Sequence, residues 1–420
     1  MRHRGRRGRV FLALVLSAML VLTACGGGGT PGTQAPETGG EPGGGGGQQP
    51  PIKIGVLTDQ SGQLKNYGTQ QVRGLKLGLE YATNGTMTVL GRKIELIIED
   101  DASNPNQAVQ KVRKLIEQDR VDILQGTASS GAALAVIPEV EKAKKVFVVD
   151  PAAATEITGK NCSRYVFRTG RSVAQDALTG AKYLVREGRR RFMNLAPDYA
   201  FGHSSAEAWS SVIKAAGGEM IGDIFVPPDT VDFTPYLQRL LQTKPDGVVV
   251  TWAGAGAVTL FQQIAEMGLY DKMLVFTGIG DIDSLKATGD AGAGLVGINT
   301  YFHLLPKNDV NDWLIERHQE EYGEPPDLFT AGGMAAGIAI VKAIEKAGST
   351  DTEALIKALE GLSFDGPKGT YTIRAEDHQA LQPMYVVRLE KKAGYDYPVP
   401  VLVEELSPEA TAPPDTCAAF

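Results

Sequence analysis

The residues of this sequence that are best suited to bind a ligand lie in short polar loops that follow apolar stretches. The most informative loop, 125–131, places Ser129 and Ser130 directly before a segment with helical spacing. Free backbone N–H groups at the start of a helix, with hydroxyls beside them, suit the carboxylate of a small ligand. The alternative is that the two serines only cap the helix.

Two further loops stand in the same relation to the strand before them. The loop 150–155 contains Ala152 and Ala153, whose small side chains allow a ligand to approach the backbone closely. The loop 61–68 contains an aromatic residue, Tyr67. In parallel sheets the carboxyl ends of the strands meet at one edge, so the three loops are expected to form one cleft.

The rest of the folded part of the chain has the pattern needed to position such loops. Short β-branched runs alternate with longer helical patterns, which is typical of parallel sheets covered by helices on both faces. The pattern runs once through Val149 and begins again after 164–169, so two similar α/β lobes are predicted. Eight of the predicted strands lie at 52–57, 93–99, 121–124, 146–149, 192–196, 219–226, 247–251 and 273–276.

The N-terminus has the pattern of a bacterial lipoprotein signal. Five arginines in the first nine residues precede the apolar run 10–22, which is too short to span a membrane comfortably. The segment 22–25, Leu-Thr-Ala-Cys, then matches the lipobox, in which cleavage precedes a cysteine that becomes lipidated. Residues 1–24 are therefore predicted to be a signal peptide, and Cys25 to anchor the protein to the cell membrane. The alternative is an ordinary secretory signal with an incidental cysteine.

Composition defines the remaining organisation. Twelve glycines within 26–50 predict that the segment 25–50, which starts at the lipidated cysteine, is a flexible tether. About 355 residues then precede an extended tail at 406–420, more than a single core usually holds, which again favours two lobes. The formal charge of −7 and the lack of a basic patch with interleaved aromatics argue against a nucleic-acid partner.

The cysteines and histidines limit cofactor chemistry. With Cys25 assigned to the anchor, Cys162 and Cys417 are left, and such a pair outside the cytoplasm is predicted to form a disulfide. The five histidines are scattered and no CxxC occurs, so no metal site is expected. The GxGxxG pattern at 292–297 precedes a strand-like segment where a dinucleotide site needs a helix, so no nucleotide cofactor is expected.

At these motifs the chain resembles the leucine/isoleucine/valine-binding protein family, the type I receptors of branched-chain amino acid ABC importers. The resemblance covers roughly 52–389. The matching motifs are Ile52-Lys53-Ile54-Gly55-Val56, Ser61-Gly62 with Tyr67-Gly68, Glu99-Asp100-Asp101 with Pro105 and Gln107-Ala108, the Gly126–Ser130 loop, Pro151-Ala152-Ala153 and Asp198-Tyr199-Ala200-Phe201-Gly202.

The resemblance implies a fold in which two Rossmann-like lobes with parallel sheets are joined by a three-crossing hinge and close on a ligand. The first lobe is expected to comprise 51–169 and 301–362, and the second lobe 170–300 and 363–405.

The resemblance also implies roles for residues of the first lobe. In family members the serine equivalent to Ser130 holds the ligand carboxylate, and we expect Ser129 to assist it. The backbone at Ala152 and a nearby threonine hydroxyl receive the ammonium group in the family. Here the threonine stands one position late, at Thr155. Tyr67 is expected to line the cleft.

The second lobe departs from the family pattern. An aromatic residue expected near position 253 is Ala253, with Trp252 beside it, and the acid that pairs with the ammonium group falls at Gly280, with Asp281 adjacent. We expect Trp252, Phe201 and Asp281 to set specificity, so either Asp281 pairs with an ammonium group or the ligand has none. The alternative is that Trp252 packs against its own helix and Asp281 caps the next one.

Together these features predict a lipid-anchored, extracytoplasmic, monomeric receptor that passes an amino acid, or a related small carboxylate or amide, to an ABC permease. A ligand-sensing module for a signalling partner is the alternative, less favoured because neither a transmembrane span nor a cytoplasmic domain follows in the sequence. Enzymatic activity is not expected, since isolated acids such as Asp100 and Asp101 are explained as turn or capping residues.

Overall fold

The computed structural model describes residues 49–279 and 281–418. The predicted signal peptide, Cys25 and nearly all of the predicted tether lie outside these ranges. The first part of the chain forms alternating strands and helices. These are β1 (Ile52–Thr58), α1 (Lys65–Ala82), β2 (Thr88–Val89), β3 (Arg92–Asp100), α2 (Pro105–Glu117), β4 (Ile123–Gly126), α3 (Ser130–Ala143), β5 (Phe147–Val149) and β6 (Val166–Arg168).

These strands form the sheet of the first lobe, in the order β2-β3-β1-β4-β5-β6. Every neighbouring pair is parallel except β2 with β3. The central strands are mostly apolar because helices cover both faces of the sheet, and every residue of β4 and β5 is buried. Because β1, β4 and β5 are parallel neighbours in this sheet, their carboxyl ends lie side by side, and the three loops that follow these strands start at the same edge.

The second lobe repeats the arrangement with a smaller parallel sheet, which an isolated bridge between Gly278 and Ile298 extends on one side. The order of its four hydrogen-bonded strands is 274–277, 247–250, 191–197 and 219–226. The elements of this part are α4 (Val173–Leu184), β7 (Arg191–Pro197), α5 (Ala200–Ala215), β8 (Glu219–Val226), α6 (Thr234–Thr243), β9 (Gly247–Val250), α7 (Ala257–Glu266), β10 (Leu274–Thr277), α8 (Ile282–Thr288) and β11 (Val296–Asn299).

The chain then returns to the first lobe and finally to the second. The returning elements are α9 (Asp309–Tyr322), α10 (Leu328–Ala347), α11 (Thr352–Leu359), β12 (Ser363–Gly366), β13 (Gly369–Ile373), β14 (Ala380–Leu381), β15 (Met384–Glu390) and β16 (Val399–Leu406). The chain crosses between the lobes after β6, after β11 and after β14, which gives a three-crossing hinge. β15 pairs antiparallel with β11 and β16 and so completes the second lobe.

The last return to the second lobe occurs later than the expected boundary at position 363. Phe364, Tyr371 and Ile373 belong to the same hydrophobic cluster as Ile52 and Ile54 of β1. Strands β12 to β14 therefore pack with the first lobe, because their alternating pattern buries aromatic side chains against its core. The crossing lies between β14 and β15.

Helix α10 is the central helix of the first lobe. It is long and apolar enough to span a membrane by length and composition, but 83% of its most apolar window is buried inside the protein. It packs against α1 through small residues on both helices. A Cβ atom added to Gly74 or Gly78 would lie 2.0 or 2.2 Å from the carbonyl oxygens of Thr330 and Met334. The two helix backbones are therefore in direct contact, and their N-terminal ends lie side by side.

The C-terminal tail forms a fourth connection between the lobes. It leaves β16 in the second lobe, and Cys417 is joined by a disulfide to Cys162 of the first lobe, with the two Cα atoms 5.6 Å apart. Nη1 of Arg374, at the end of β13, also donates a hydrogen bond to the carbonyl oxygen of Pro413 at 2.9 Å. The tail is thus fixed to both lobes.

Candidate ligand-binding cleft

A cavity lies between the lobes at the edge where the strand ends meet. Tyr67, Leu328 and Phe329 of the first lobe line one side, and Phe201 and Trp252 of the second lobe lie among the residues of the other. Val250, Thr251, Thr277 and Asp281 add the ends of the second-lobe strands and the start of α8. The cavity is thus built from both lobes, as a site that closes on a ligand must be.

Aromatic side chains form most of the first-lobe wall. The rings of Tyr67 and Phe329 are stacked, with centroids 3.9 Å apart and planes at 26°. Both residues lie in the first turn of their helices, α1 and α10, so the close contact of those helices holds the two rings together. The Tyr67 hydroxyl accepts a hydrogen bond from the Gly254 N–H at 3.0 Å, and burial, with Asp281 nearby, raises the pKa of Tyr67 well above its usual range.

Four contacts between the lobes hold the cleft closed. Besides the bond between Gly254 and Tyr67, the Ala255 N–H donates to the Gln63 carbonyl at 3.2 Å. The Thr155 N–H donates to the Ser204 hydroxyl at 2.8 Å. The Asp327 carboxylate accepts from the Ile282 N–H at 2.8 Å. Each of these bonds joins a loop or helix end of one lobe to the other, so each must break when the lobes separate.

The two predicted serines of the first lobe do not line this cavity. The Ser129 hydroxyl accepts a bond from the Ala132 N–H and caps α3. The Ser130 hydroxyl accepts bonds from the N–H groups of Ala153 and Ala154, at 3.2 and 3.1 Å. Both serines are buried, and their oxygens are used inside the lobe. A role for Ser130 as a carboxylate ligand stays a prediction, and it requires these bonds to be exchanged.

The other residues of the neighbouring loop are equally enclosed. Ala152 and Ala153 are buried, and the Ala152 N–H donates to the Thr127 carbonyl at 3.0 Å. The Thr155 hydroxyl is buried with no hydrogen-bond partner among the described residues, but Thr155 is not among the residues that line the cavity. The structure therefore brings the predicted ammonium-binding residues together without placing them in the cavity.

The predicted second-lobe residues do line the cavity, and two of them also have local structural partners. Trp252 packs edge-on against Phe233, with centroids 4.9 Å apart, and its Nε1 donates to the Ala255 carbonyl. Both oxygens of Asp281 accept hydrogen bonds from Ser284, one from the N–H and one from the hydroxyl, each at 2.7 Å. Asp281 is thus the N-cap of α8, and its hydrogen-bonding capacity is largely used by that helix.

Sequence reasoning missed two charged residues of the cavity, Arg171 and Asp176. Arg171 lies in the first hinge crossing, and its Nη1 donates to the Pro151 carbonyl at 3.2 Å. Its Nε lies 3.5 Å from an oxygen of Asp176, in the first turn of α4. Burial raises the pKa of Asp176, while the charge of Arg171 opposes that rise. The capping box of Ser172 and Gln175 is a sequence signal for the start of α4. That signal could have shown that Arg171 and Asp176 flank the helix start beside the hinge.

Two further buried ionisable groups, Asp150 and Lys368, lie beside the hinge crossings. Burial raises the pKa of Asp150 to about 7 and lowers that of Lys368 to about 7. Lys368 donates to the Gln382 side chain at 2.8 Å, in the third crossing. In the part of the chain that the structure describes, no three His, Cys, Asp or Glu side chains are grouped to hold a metal ion. With aromatic and charged side chains in its wall, the cavity is suited to non-covalent capture of an organic molecule that has polar and apolar parts.

Two parallel-sheet lobes, a three-crossing hinge and a cavity between them define the type I periplasmic binding protein fold. Comparison with known proteins agrees: residues 51–394 match the family model described as a periplasmic binding protein. The chain belongs to this family. It is a small-molecule-binding protein of the ABC-transporter type and not an enzyme.

Individual relatives cover most of the chain. The Leu/Ile/Val-binding protein homolog 6 of Brucella melitensis is 26% identical over 81% of this chain and 88% of its own length. The crystal structure of an ABC-type branched-chain amino acid transporter protein from Rhodopseudomonas palustris CGA009 is 39% identical, with a TM-score of 0.73 over 87% of this chain and 99% of that one. A solute-binding protein from Rhodopseudomonas palustris BisB5, in complex with 3,4-dihydroxybenzoic acid, is 29% identical, with a TM-score of 0.77 over 85% and 97%.

Proposed function

We propose that this protein is the extracytoplasmic, lipid-anchored receptor of an ABC importer, and that it captures an amino acid or a related small organic carboxylate or amide. The observation that carries the proposal is the cavity between the lobes, whose walls come from both of them. A ligand bound there contacts both lobes at once and so stabilises the closed form, which is the form presented to a permease. The names of the relatives support both ligand types, since one concerns branched-chain amino acids and another an aromatic acid.

A thermal-shift screen tests the ligand proposal. The purified protein is heated with amino acids, aromatic acids and amides in turn, and at least one of these compounds should raise the unfolding temperature. A ligand at a hundred times its dissociation constant adds about 2.7 kcal/mol to the free energy of unfolding. The best compound is then tested on two variants. Trp252→Ala removes part of the cavity wall, and Trp313→Ala, the control, changes a tryptophan outside the cavity. Trp252→Ala should lose the stabilisation and Trp313→Ala should keep it. The proposal fails if no compound stabilises the wild type or if both variants respond alike.

The anchoring proposal has a separate test, Cys25→Ser. Without the thiol no lipid can be attached, so the variant should appear in the soluble fraction or keep its signal uncut. Immunoblotting of membrane and soluble fractions from a bacterial host gives the measurement. Thr30→Ser, a substitution in the tether, is the control and should remain with the membrane. Retention of a normally cleaved Cys25→Ser protein in the membrane fraction would contradict the proposal.

A further inference from the structure

The cavity contains two buried polar atoms whose hydrogen-bonding capacity is unused. They are the Nε of Arg171 and one carboxylate oxygen of Asp176, neither of which has a hydrogen-bond partner among the described residues. Asp176 is only 7% exposed. A buried polar group without a partner is costly, so native structures nearly always satisfy such groups. Both residues line the cavity, where a bound molecule can satisfy them.

Three other polar side chains of the cavity are already engaged. Asp281 gives both of its oxygens to Ser284. The hydroxyls of Ser205 and Thr251 bond to each other at 2.8 Å. The one cation and the one incompletely bonded anion among the cavity-lining residues are therefore Arg171 and Asp176.

The spacing of the pair restricts what it can recognise. Arg171 Nε lies 3.5 Å from Oδ2 of Asp176, and the free oxygen, Oδ1, belongs to the same carboxylate. The two groups of a ligand that this pair binds must therefore also be close neighbours. In an α-amino acid the carboxylate and the ammonium group are attached to the same carbon. In a para-substituted benzoate the second polar group lies on the opposite side of the ring, too far to reach Asp176 while the carboxylate stays on Arg171.

The rest of the wall indicates what the ligand carries beyond these groups. Tyr67, Phe201, Trp252 and Phe329 present aromatic surface to the cavity. Aromatic walls favour the binding of large apolar groups, because contact between the two removes much apolar surface from water.

Within the proposed function, we infer that Arg171 and Asp176 form the polar anchor for an α-amino acid with a bulky apolar side chain. Arg171 donates to the ligand carboxylate, and the free oxygen of Asp176 accepts from its ammonium group. The assignment moves ligand recognition from the first-lobe serines to the hinge crossing. A bound ligand would then contact the segment that joins the lobes.

Calorimetric titration of the wild type with three matched probes tests the inference without any variant. The probes are L-phenylalanine, 3-phenylpropanoate, which lacks the amine, and 2-phenylethylamine, which lacks the carboxylate. Phenylalanine should bind at least ten-fold more tightly than either partial analogue, since each analogue leaves one charged group unpaired. Absence of phenylalanine binding, or equal binding of phenylpropanoate, overturns the inference. The proposed function would still stand if an amine-free acid bound instead.

Variants then assign the two groups. Asp176→Asn should weaken phenylalanine binding ten- to a hundred-fold and leave phenylpropanoate binding little changed, whereas Arg171→Gln should weaken both. Arg171→Lys, which keeps the charge, should restore part of the loss. Arg164→Gln, an exposed arginine paired with Glu353 away from the cavity, is the control and should bind like the wild type. A larger loss in Ser130→Ala than in Arg171→Gln would return the carboxylate to the first-lobe serines and overturn the assignment.

Discussion

Gly78→Leu should lower the free energy of unfolding by about 3 kcal/mol or more, the upper end of what overpacking usually costs. By helix propensity alone leucine is better than glycine by about 1 kcal/mol, so an exposed site would gain stability. At Gly78 the close contact with α10 determines the effect on stability instead. The first side-chain carbon would lie 2.2 Å from the carbonyl oxygen of Met334 and 2.9 Å from its Cα. Backbone atoms inside a helix cannot move aside as a flexible side chain would.

Lys76→Leu is the matched control, because it puts the same residue on the exposed face of the same helix. Chemical denaturation of the three proteins should show a large loss for Gly78→Leu and little change for Lys76→Leu. The Gly78 variant should also bind ligand more weakly where it still folds, because α1 and α10 hold the Tyr67–Phe329 stack at the cavity. Equal stability of the two variants would show that the helices can separate at low cost.

Much of the fold follows from periodicity in the sequence. The strand predicted at 219–226 coincides with β8, and the one predicted at 247–251 differs from β9 by a single residue. Very short elements were missed: β6 has three residues and β14 two, too few to show a pattern. The boundary at 363 was misplaced because strands β12 to β14 form a small sheet of their own, and it is their packing against the core of the first lobe that assigns them to that lobe.

The site was predictable where one short segment defines it. Tyr67, Phe201 and Trp252 lie near strand ends or in first helical turns, and all three line the cavity. Phe329 was missed because α10 reaches the cleft only through its contact with α1, far away in sequence. Arg171 was missed because its direction depends on the path of the hinge crossing. The serine loop shows the converse, since its motif is present but its hydroxyls are bonded within the lobe.

The disulfide between Cys162 and Cys417 should be the largest single contribution to stability from the tail. The two cysteines are 255 positions apart in the sequence, so the bond closes most of the folded chain into one loop. In the chain-entropy model such a loop raises the free energy of the unfolded state by about 5.5 kcal/mol, although measured gains are often smaller. The bond also holds the tail across both lobes, since the turn at Glu409–Thr411 lies near α4 of the second lobe.

The double variant Cys162→Ser/Cys417→Ser should therefore unfold at a markedly lower denaturant concentration than the wild type. Adding a reductant should remove most of the stability difference between the wild type and the variant, and it should leave the variant unchanged, because the variant has no bond to lose. This comparison separates the effect of the bond from that of the substitutions, since Cys162 is buried and its replacement has a packing cost of its own. Ligand affinity measured with and without reductant tests the connection between the lobes. If the tail restrains opening, reduction should weaken binding by raising the population of the open form. If the reductant frees both thiols and yet leaves the stability and the ligand affinity of the wild type unchanged, the bond contributes to neither property.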